Sequence, residues 1–498
     1  MTAHTRPGRP GPGTAGPSGP ATAVVVGGGL AGTAAALALA DAGVRVTLLE
    51  TRPRLGGLAF SFRRPSPAGE LTVDNGQHVF LRCCTAYRWF LDRIGGTRLA
   101  PLQGALDVPV LDAGAPRRPR LARIRRNGLP VPLHLAASLA GYRHLSPAER
   151  ARAGRAALAL RGLDPLDPAL DDTDFAGWLR RQGQSARAVE ALWDLVGVAT
   201  LNATARQASL GLAAMVFRTG LLSEPGAADI GWAHAPLGEL HHTRAGAALA
   251  DAGVRTELRT RVTALTRAAD GRWQVATERG ATGPGQLTAD AVVLAVPQRE
   301  AHDLLPPGAL EDPGRLLRIG TAPILNLHVV YDRKVLRRPF FVAIGSPVQW
   351  VFDRTRSSGL DRLPGGAGAQ YLAVSQSAAH DDIDRPVGEL RRRYLPELAR
   401  LLPAARGATV TDFFVTRERA ATFAPTPGVG RLRPHAATQE PGLHLAGAWT
   451  ATGWPATMEG AVRSGLTAAD GVLVGLGLGR RHRNPPPAAG GRLAQEAV

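Results

Sequence analysis

The segment VVVGGGLAGTAAALALADAGVRVTLLE, Val24 to Glu50, confines this chain to few folds. Val24–Val26 reads as a buried strand, after which Gly27, Gly29 and Gly32 follow with G-x-G-x-x-G spacing. Thr33 to Ala42 reads as a small-residue helix that Gly43 is placed to close in a left-handed conformation. Val44–Leu49 is a second apolar strand ending on Glu50. Gly27 permits the tight turn, Gly29 lets backbone approach a pyrophosphate, and Gly32 lets the helix pack close to the strand. Leu30 and Ala31 complete the turn, where the helix N-terminus faces the phosphate charge. Glu50, about 20 residues on, is placed to accept both hydroxyls of an adenosine ribose. A glycine-rich turn alone would not need that acid. The segment predicts a bound dinucleotide.

The next residues, ETRPRLGGLAFSF, narrow the choice. Glu50, Arg54, Gly56 and Gly57 together resemble the extended signature of the FAD-linked amine oxidase and phytoene desaturase superfamily. Leu58 stands where that superfamily often has an arginine, so an arginine contact to the pyrophosphate is missing there. No second G-x-G-x-x-G follows a predicted strand, as stable binding of both FAD and a nicotinamide would require; Gly11–Gly16 has the spacing but lies in the Pro/Gly-rich leader. The expected cofactor is FAD alone, with no metal: His241–His242 have neither a nearby cysteine nor a spaced histidine partner.

Composition sets outer bounds. At 498 residues the chain holds two domains and a large core. Its net charge of +18 resembles a nucleic-acid binder, yet Lys334 is the sole lysine among 59 basic residues. With abundant Ala, Gly and Pro, that is the mark of GC-rich coding, and no nucleic-acid motif accompanies it. An anionic membrane surface is the better counterpart. Cys83 and Cys84 are adjacent and have no other partner, which reads as a cytoplasmic chain. Residues 1–20 are Pro/Gly/Thr-rich without an apolar core and read as a disordered leader. Residues 479–498 read as a disordered tail, and no run of about 18 apolar residues predicts a membrane span.

The chain order interleaves two domains. VDNGQHVFLRCCTAYRWFLDRIG (73–95) reads as a polar loop entering an amphipathic helix, and residues 130–222 as mostly helical. Strands return near residue 254, with a hairpin turn at Asp270–Gly271. DAVVLAVP (290–297) is a buried strand, and residues 306–434 carry alternating strands suited to a mixed sheet. The expectation is an α/β, Rossmann-like FAD-binding domain assembled from 21–90, 235–305 and 436–478. A mixed-sheet plus helical substrate domain would comprise 91–234 and 306–435, with a membrane-facing helical part.

The stretch LAGAWTATGWPATMEGAVRSG resembles the superfamily's C-terminal flavin motif. The resemblance implies that Gly447, Ala448 and Trp449 lie near the pyrophosphate and ribityl chain. It also implies that Met458, Glu459 and Gly460 open a helix whose positive N-terminus faces the flavin, and that Val262 contacts the cofactor. Glu459 reads equally as a simple first-turn acid. Within the superfamily, VDNGQHVFLRCC, WDLVGVATLNATARQASL, LGELH and WTATGWPATMEGAVRSG are similar to the squalene-associated FAD-dependent enzymes, the hydroxysqualene dehydroxylases of hopanoid biosynthesis. That resemblance implies reduction of hydroxysqualene to squalene with loss of water, a C30 polyprenyl substrate and an unidentified electron donor.

Such chemistry needs a proton for a poor leaving group, and Asp74 and His78 in the DNGQH loop are the nearest candidates for the general acid. Asp74–Asn75–Gly76 also reads as a turn, His78 as a backbone partner, and Gln77 as either. Amine oxidation of the kind that uses a lysine near flavin N5 is disfavoured, because Lys334 lies in a charged, exposed-looking strand end. Arg117–Arg126 followed by an apolar segment reads either as a membrane-docking surface, at the inner face of the cell membrane, or as a solvated loop before a core helix. The rival functions are a carotenoid desaturase, with electrons flowing the other way, and a non-catalytic prenyl-lipid carrier of the GDP-dissociation-inhibitor type.

Overall fold

The computed structural model describes residues 19–114, 119–279 and 283–479. Its first layer is a five-stranded parallel sheet in the order Leu443–Leu445, Ala291–Leu294, Thr22–Val26, Arg45–Glu50, Arg255–Leu258. The central strands Thr22–Val26 and Ala291–Leu294 are near-continuous apolar runs, as parallel strands covered on both faces must be, while the edge strand Arg255–Leu258 is polar and only partly buried. Three separated stretches of chain therefore build one sheet. The helix Leu30–Asp41 returns from the first strand, with every residue from Leu30 to Leu39 buried. It begins three residues earlier than its small-residue run implies, because Gly29 is extended and acts as the N-cap. Gly43 closes it at φ +86°. The helix Met458–Gly475 lies against it so tightly that a Cβ on Gly465 would fall 2.1 Å from the Ala31 carbonyl oxygen.

A three-stranded antiparallel meander, Arg261–Arg267, Trp273–Arg279 and Gly283–Ala289, hangs beside this sheet. Its first turn is at Asp270–Gly271, with Gly271 at φ +82°. A seven-stranded sheet forms the second layer, in the order Val410–Phe423, Thr321–Tyr331, Gln370–Ser377, Trp350–Asp353, Phe340–Ile344, Asp107–Asp112, Arg120–Arg125. All its pairings are antiparallel except that between Phe340–Ile344 and Asp107–Asp112. Period-two alternation gives it two apolar faces. Leu327, Val329, Phe341 and Val351 pack with the helix Val387–Leu401. Val110, Phe340, Val342 and Phe352 pack with Tyr142, Ala191 and Leu195 of the helical region.

Between the two sheets, Val79–Leu81 pairs antiparallel with Ile230–Trp232. Three residues are too few to show periodicity, so this strand was hidden inside the polar loop read from sequence. The basic segment is largely neutralised by its own neighbours. Arg123 and Arg125 pair with Asp107, Arg120 with Asp112, and Arg126 with the fully buried Asp229 at 2.6 Å. Arg117 and Arg118 lie outside the described residues. Beside the pairs, Leu121, Leu129 and Leu133 are exposed. Among the described residues no helix is long and apolar enough to cross a membrane.

Candidate cofactor and substrate site

The glycine turn has the geometry a dinucleotide needs. Gly27 sits at φ +107°, and a Cβ there would lie 2.4 Å from the Ala295 carbonyl oxygen. A Cβ on Gly32 would be 1.9 Å from the Gly27 oxygen, so the helix can leave the strand only with glycine here. Gly29 differs: its nearest neighbour would be the Gly57 Cα at 3.7 Å, leaving that face open to a ligand. The second glycine pair lies directly against the first. Gly56 N–H donates to the Gly28 oxygen at 2.9 Å, and Gly57, at φ +56°, has room for no Cβ beside Gly29.

Glu50 stands at the mouth of this turn, accepting from Gly28 N–H and Arg52 N–H, both at 2.7 Å. These bonds fix the carboxylate while leaving each oxygen a second lone pair. Thr260 N–H donates to the Glu50 carbonyl and Arg259 N–H to that of Arg52, which brings the buried Val262 close to the same strand end. Arg54 donates to the Gly57 carbonyl at 3.0 Å and lies 3.4 Å over the Phe60 ring. Burial lowers its pKa to about 10, so it stays cationic at neutral pH.

The C-terminal segment closes the cradle. Gly447 adopts φ +145° and donates to Ser464 Oγ at 2.8 Å. Trp449 is buried, with its indole N–H on the Val296 carbonyl at 3.0 Å. Arg433, which the sequence reading missed among so many arginines, organises this loop. Its guanidinium donates to the carbonyls of Ala448, Thr450 and Trp454 and lies 4.6 Å over Phe423. Desolvation lowers its pKa to about 10. Thr457 caps the last helix by accepting from Gly460 N–H at 3.1 Å, and Met458 is the first helical residue.

Glu459 departs from expectation. Its fully buried carboxylate accepts from Ala86 N–H at 3.1 Å and Tyr87 N–H at 2.7 Å, capping the helix Thr85–Arg93, and pairs with Arg463 at 2.6 Å. Burial raises its pKa. The side chain is committed to another helix, so only its backbone N–H is left to serve a cofactor. Taken together, the open Gly29 face, the fixed Glu50 carboxylate and the capped second helix fit FAD.

The DNGQH loop is clamped to this cradle. Asn75 accepts from Phe60 N–H at 3.0 Å and donates to the Leu58 carbonyl and to Glu418, both at 2.9 Å. Asp74 accepts from Ser61 Oγ at 2.6 Å, Leu237 N–H at 2.9 Å and the Arg354 guanidinium at 2.5 Å. Three donors, one of them cationic, suit a carboxylate that accepts. The expected general-acid role does not suit Asp74. Arg354 also donates to the Ala233 carbonyl at 2.7 Å. The Val79–Trp232 pairing sets His78 beside Ala233, and His234 follows directly. Burial and the Arg354 charge lower the His78 pKa to about 4, and the same two causes lower that of His234. His78 is therefore neutral at pH 7, able to hydrogen-bond but not to carry an extra proton as an imidazolium acid.

Two buried histidines brace the surroundings. His241 Nδ1–H donates to the Ala59 carbonyl at 2.9 Å, so its Nε2 accepts from Tyr87 Oη–H at 2.9 Å. Tyr371 Oη–H donates to His328 Nδ1 at 2.6 Å, His328 Nε2–H to Thr416 Oγ1 at 3.0 Å, and Thr416 to the Asn75 carbonyl at 2.8 Å. Asn326 donates to the same carbonyl at 3.0 Å. Every donor in that run is used once, with the ring neutral. Lys334 is exposed, three residues past the end of the strand Thr321–Tyr331, and among the described residues no cluster of His, Cys, Asp and Glu could hold a metal.

Comparison with known proteins agrees with this geometry. The model of the family of flavin-containing amine oxidoreductases matches residues 30–473. The chain is 32% identical over 461 residues to a hydroxysqualene dehydroxylase from Rhodopseudomonas palustris, covering 91% of this chain and 98% of that one. It is 25% identical to a zeta-carotene desaturase from Synechocystis, covering 90% of this chain and 96% of the other. The structure of cyclohexylamine oxidase from Brevibacterium oxydans superposes with a TM-score of 0.66 at 18% identity, covering 92% of this chain and 100% of that one. The chain belongs to the flavin-containing amine oxidoreductases and is an FAD-dependent oxidoreductase similar to the hydroxysqualene dehydroxylases.

Proposed function

We propose that the protein reduces hydroxysqualene to squalene, the substrate oxygen leaving as water. The observation that carries this reading is the 32% identity to a hydroxysqualene dehydroxylase over 91% of this chain and 98% of that one. The absence of any lysine but Lys334, which is exposed, speaks against an amine substrate. When bound, FAD supplies two-electron hydride chemistry. The chain's own part is to fix that group and to orient the substrate. Gly29 and Gly57 offer bare backbone to the pyrophosphate, Glu50 reads the ribose, and Val262 contacts the nucleoside end. Gly447 to Trp449, held by Arg433, shape the wall, and the capped helix at Met458–Gly460 presents its positive end.

His78, Arg354 and His234 are then the polar groups set against a long apolar substrate. With Asp74 already accepting from three donors and His78 neutral, the proton that converts departing hydroxide to water comes from solvent through this cluster rather than from a resident acid. One dinucleotide fingerprint leaves the electron donor as a transient nicotinamide, a carrier protein or a free reduced flavin. We place the enzyme in hopanoid and triterpenoid synthesis, at the cytoplasmic face of the membrane. The exposed leucines 121, 129 and 133 would meet the lipid there, because the adjoining arginines are paired internally.

The test is anaerobic incubation of the purified flavoprotein with a reductant and hydroxysqualene, followed by extraction and mass spectrometry. Squalene formed in proportion to enzyme supports the reading. No squalene, with turnover of a phytoene-type polyene instead, replaces it by desaturation.

A further inference from the structure

We infer that Arg354 is the residue that recognises the substrate's oxygen, distinguishing a polyprenyl alcohol from the hydrocarbon it becomes. The inference rests on the dehydroxylation reading and names the group that would hold its substrate. Arg354 lies on the seven-stranded sheet at the end of Trp350–Asp353, yet its guanidinium reaches across to Asp74 and to the Ala233 carbonyl. Those two acceptors meet only part of a five-donor fork. His78 lies across the strand pair from Ala233 and His234 follows it in the chain, and neither ring makes a hydrogen bond to another described residue. Asp74 balances the guanidinium charge, so the fork offers donors without leaving a naked cation in an apolar site.

What adjoins this polar end is apolar. The Trp232 ring lies 5.1 Å from His234 and 5.4 Å from Phe340, and Phe340 continues to Phe352 at 5.7 Å and Trp350 at 5.9 Å. Trp232 and Trp350 are only partly buried, as are Val79 and Leu81, which pack on the same cluster. A hydrocarbon chain lying along these rings would bring an oxygen to the place where these donors converge. The product has no oxygen, so the same cluster would release it.

The probes are hydroxysqualene and squalene, each titrated into the flavin-loaded enzyme and followed by the perturbation of flavin absorbance. We expect the wild type to prefer the alcohol by at least about tenfold, the worth of a hydrogen bond from a charged donor. Arg354→Gln should retain its flavin and bring the two affinities within about twofold. Arg354→Lys keeps a charge beside Asp74 and decides the matter if the glutamine variant fails to fold; its preference should also fall. A change in fold alone would weaken both ligands alike and leave their ratio unmoved. No preference in the wild type, or an unchanged preference in either folded variant, overturns the inference. A preference that depends on Arg354 without any squalene being formed would leave it standing and remove the dehydroxylation reading.

Discussion

Asp74 and Arg354 form a buried ion pair at 2.5 Å, joining the loop that follows the cofactor signature to the seven-stranded sheet 280 residues later. Both side chains are more than nine-tenths buried, so water does little to screen either charge. The pair thus couples the cofactor cradle to the sheet that shapes the substrate end. Replacing Asp74 with Asn would leave the guanidinium buried without its counter-charge. The expected loss is roughly 3–5 kcal/mol of stability, read by chemical denaturation. Asp74→Asn combined with Arg354→Met should be less destabilised than the single variant.

The second and third glycines of the fingerprint should behave differently. Gly32→Ala places a Cβ 1.9 Å from the Gly27 oxygen, which the backbone cannot yield, and should cost both folding and flavin. Gly29→Ala meets nothing closer than 3.7 Å and should fold as an apoprotein. It should nonetheless purify colourless, because the methyl group fills the face the pyrophosphate needs. Flavin absorbance and melting temperature separate the two outcomes.

Glu459→Gln tests whether that carboxylate serves the helix Thr85–Arg93 rather than the flavin. The variant removes the Glu459 counter-charge from Arg463 and weakens the cap on Ala86 and Tyr87. A loss of about 2–4 kcal/mol is expected, with flavin content per folded molecule unchanged.

Stability should fall on mild acidification. Burial holds His241 at about 4 and His328 at about 3, against 6.5 when unfolded. Below pH 6.5 the unfolded chain takes up protons that the folded one refuses, so stability declines from about pH 6.5 toward pH 4. Each histidine contributes about 1.4 kcal/mol per pH unit across that window and nothing above it. His328→Gln should flatten the slope measured by denaturation at pH 7 and pH 5.

The parts that were legible in the sequence are those in which neighbours in the chain are neighbours in space. The strand, turn, helix and acid of Val24–Glu50 are local, and so are the Gly56–Gly57 pair and the last helix. The substrate end is not. Asp74 and His78 could be picked out, but Arg354, Tyr371, His328 and Asn326 reach the DNGQH loop only through sheet pairing across long chain separations. Arg433 carried no signal among the arginines of so basic a chain. Its burial under the Ala448–Trp454 carbonyls becomes visible only once the loop is folded. The acid roles read for Asp74 and His78 are disfavoured for a related reason: Arg354, distant in sequence, bonds the first as an acceptor, and burial together with the Arg354 charge lowers the pKa of the second.

The direction of electron flow is the centre of this account, and a single turnover reads it. Enzyme whose flavin has been fully reduced is mixed anaerobically with hydroxysqualene while the oxidised flavin absorbance and the extracted product are followed together. The account predicts that oxidised flavin returns with about one squalene formed per flavin, the balance required of a two-electron hydride donor. Flavin that stays reduced with hydroxysqualene, while oxidised enzyme is bleached by a phytoene-type polyene, would contradict it.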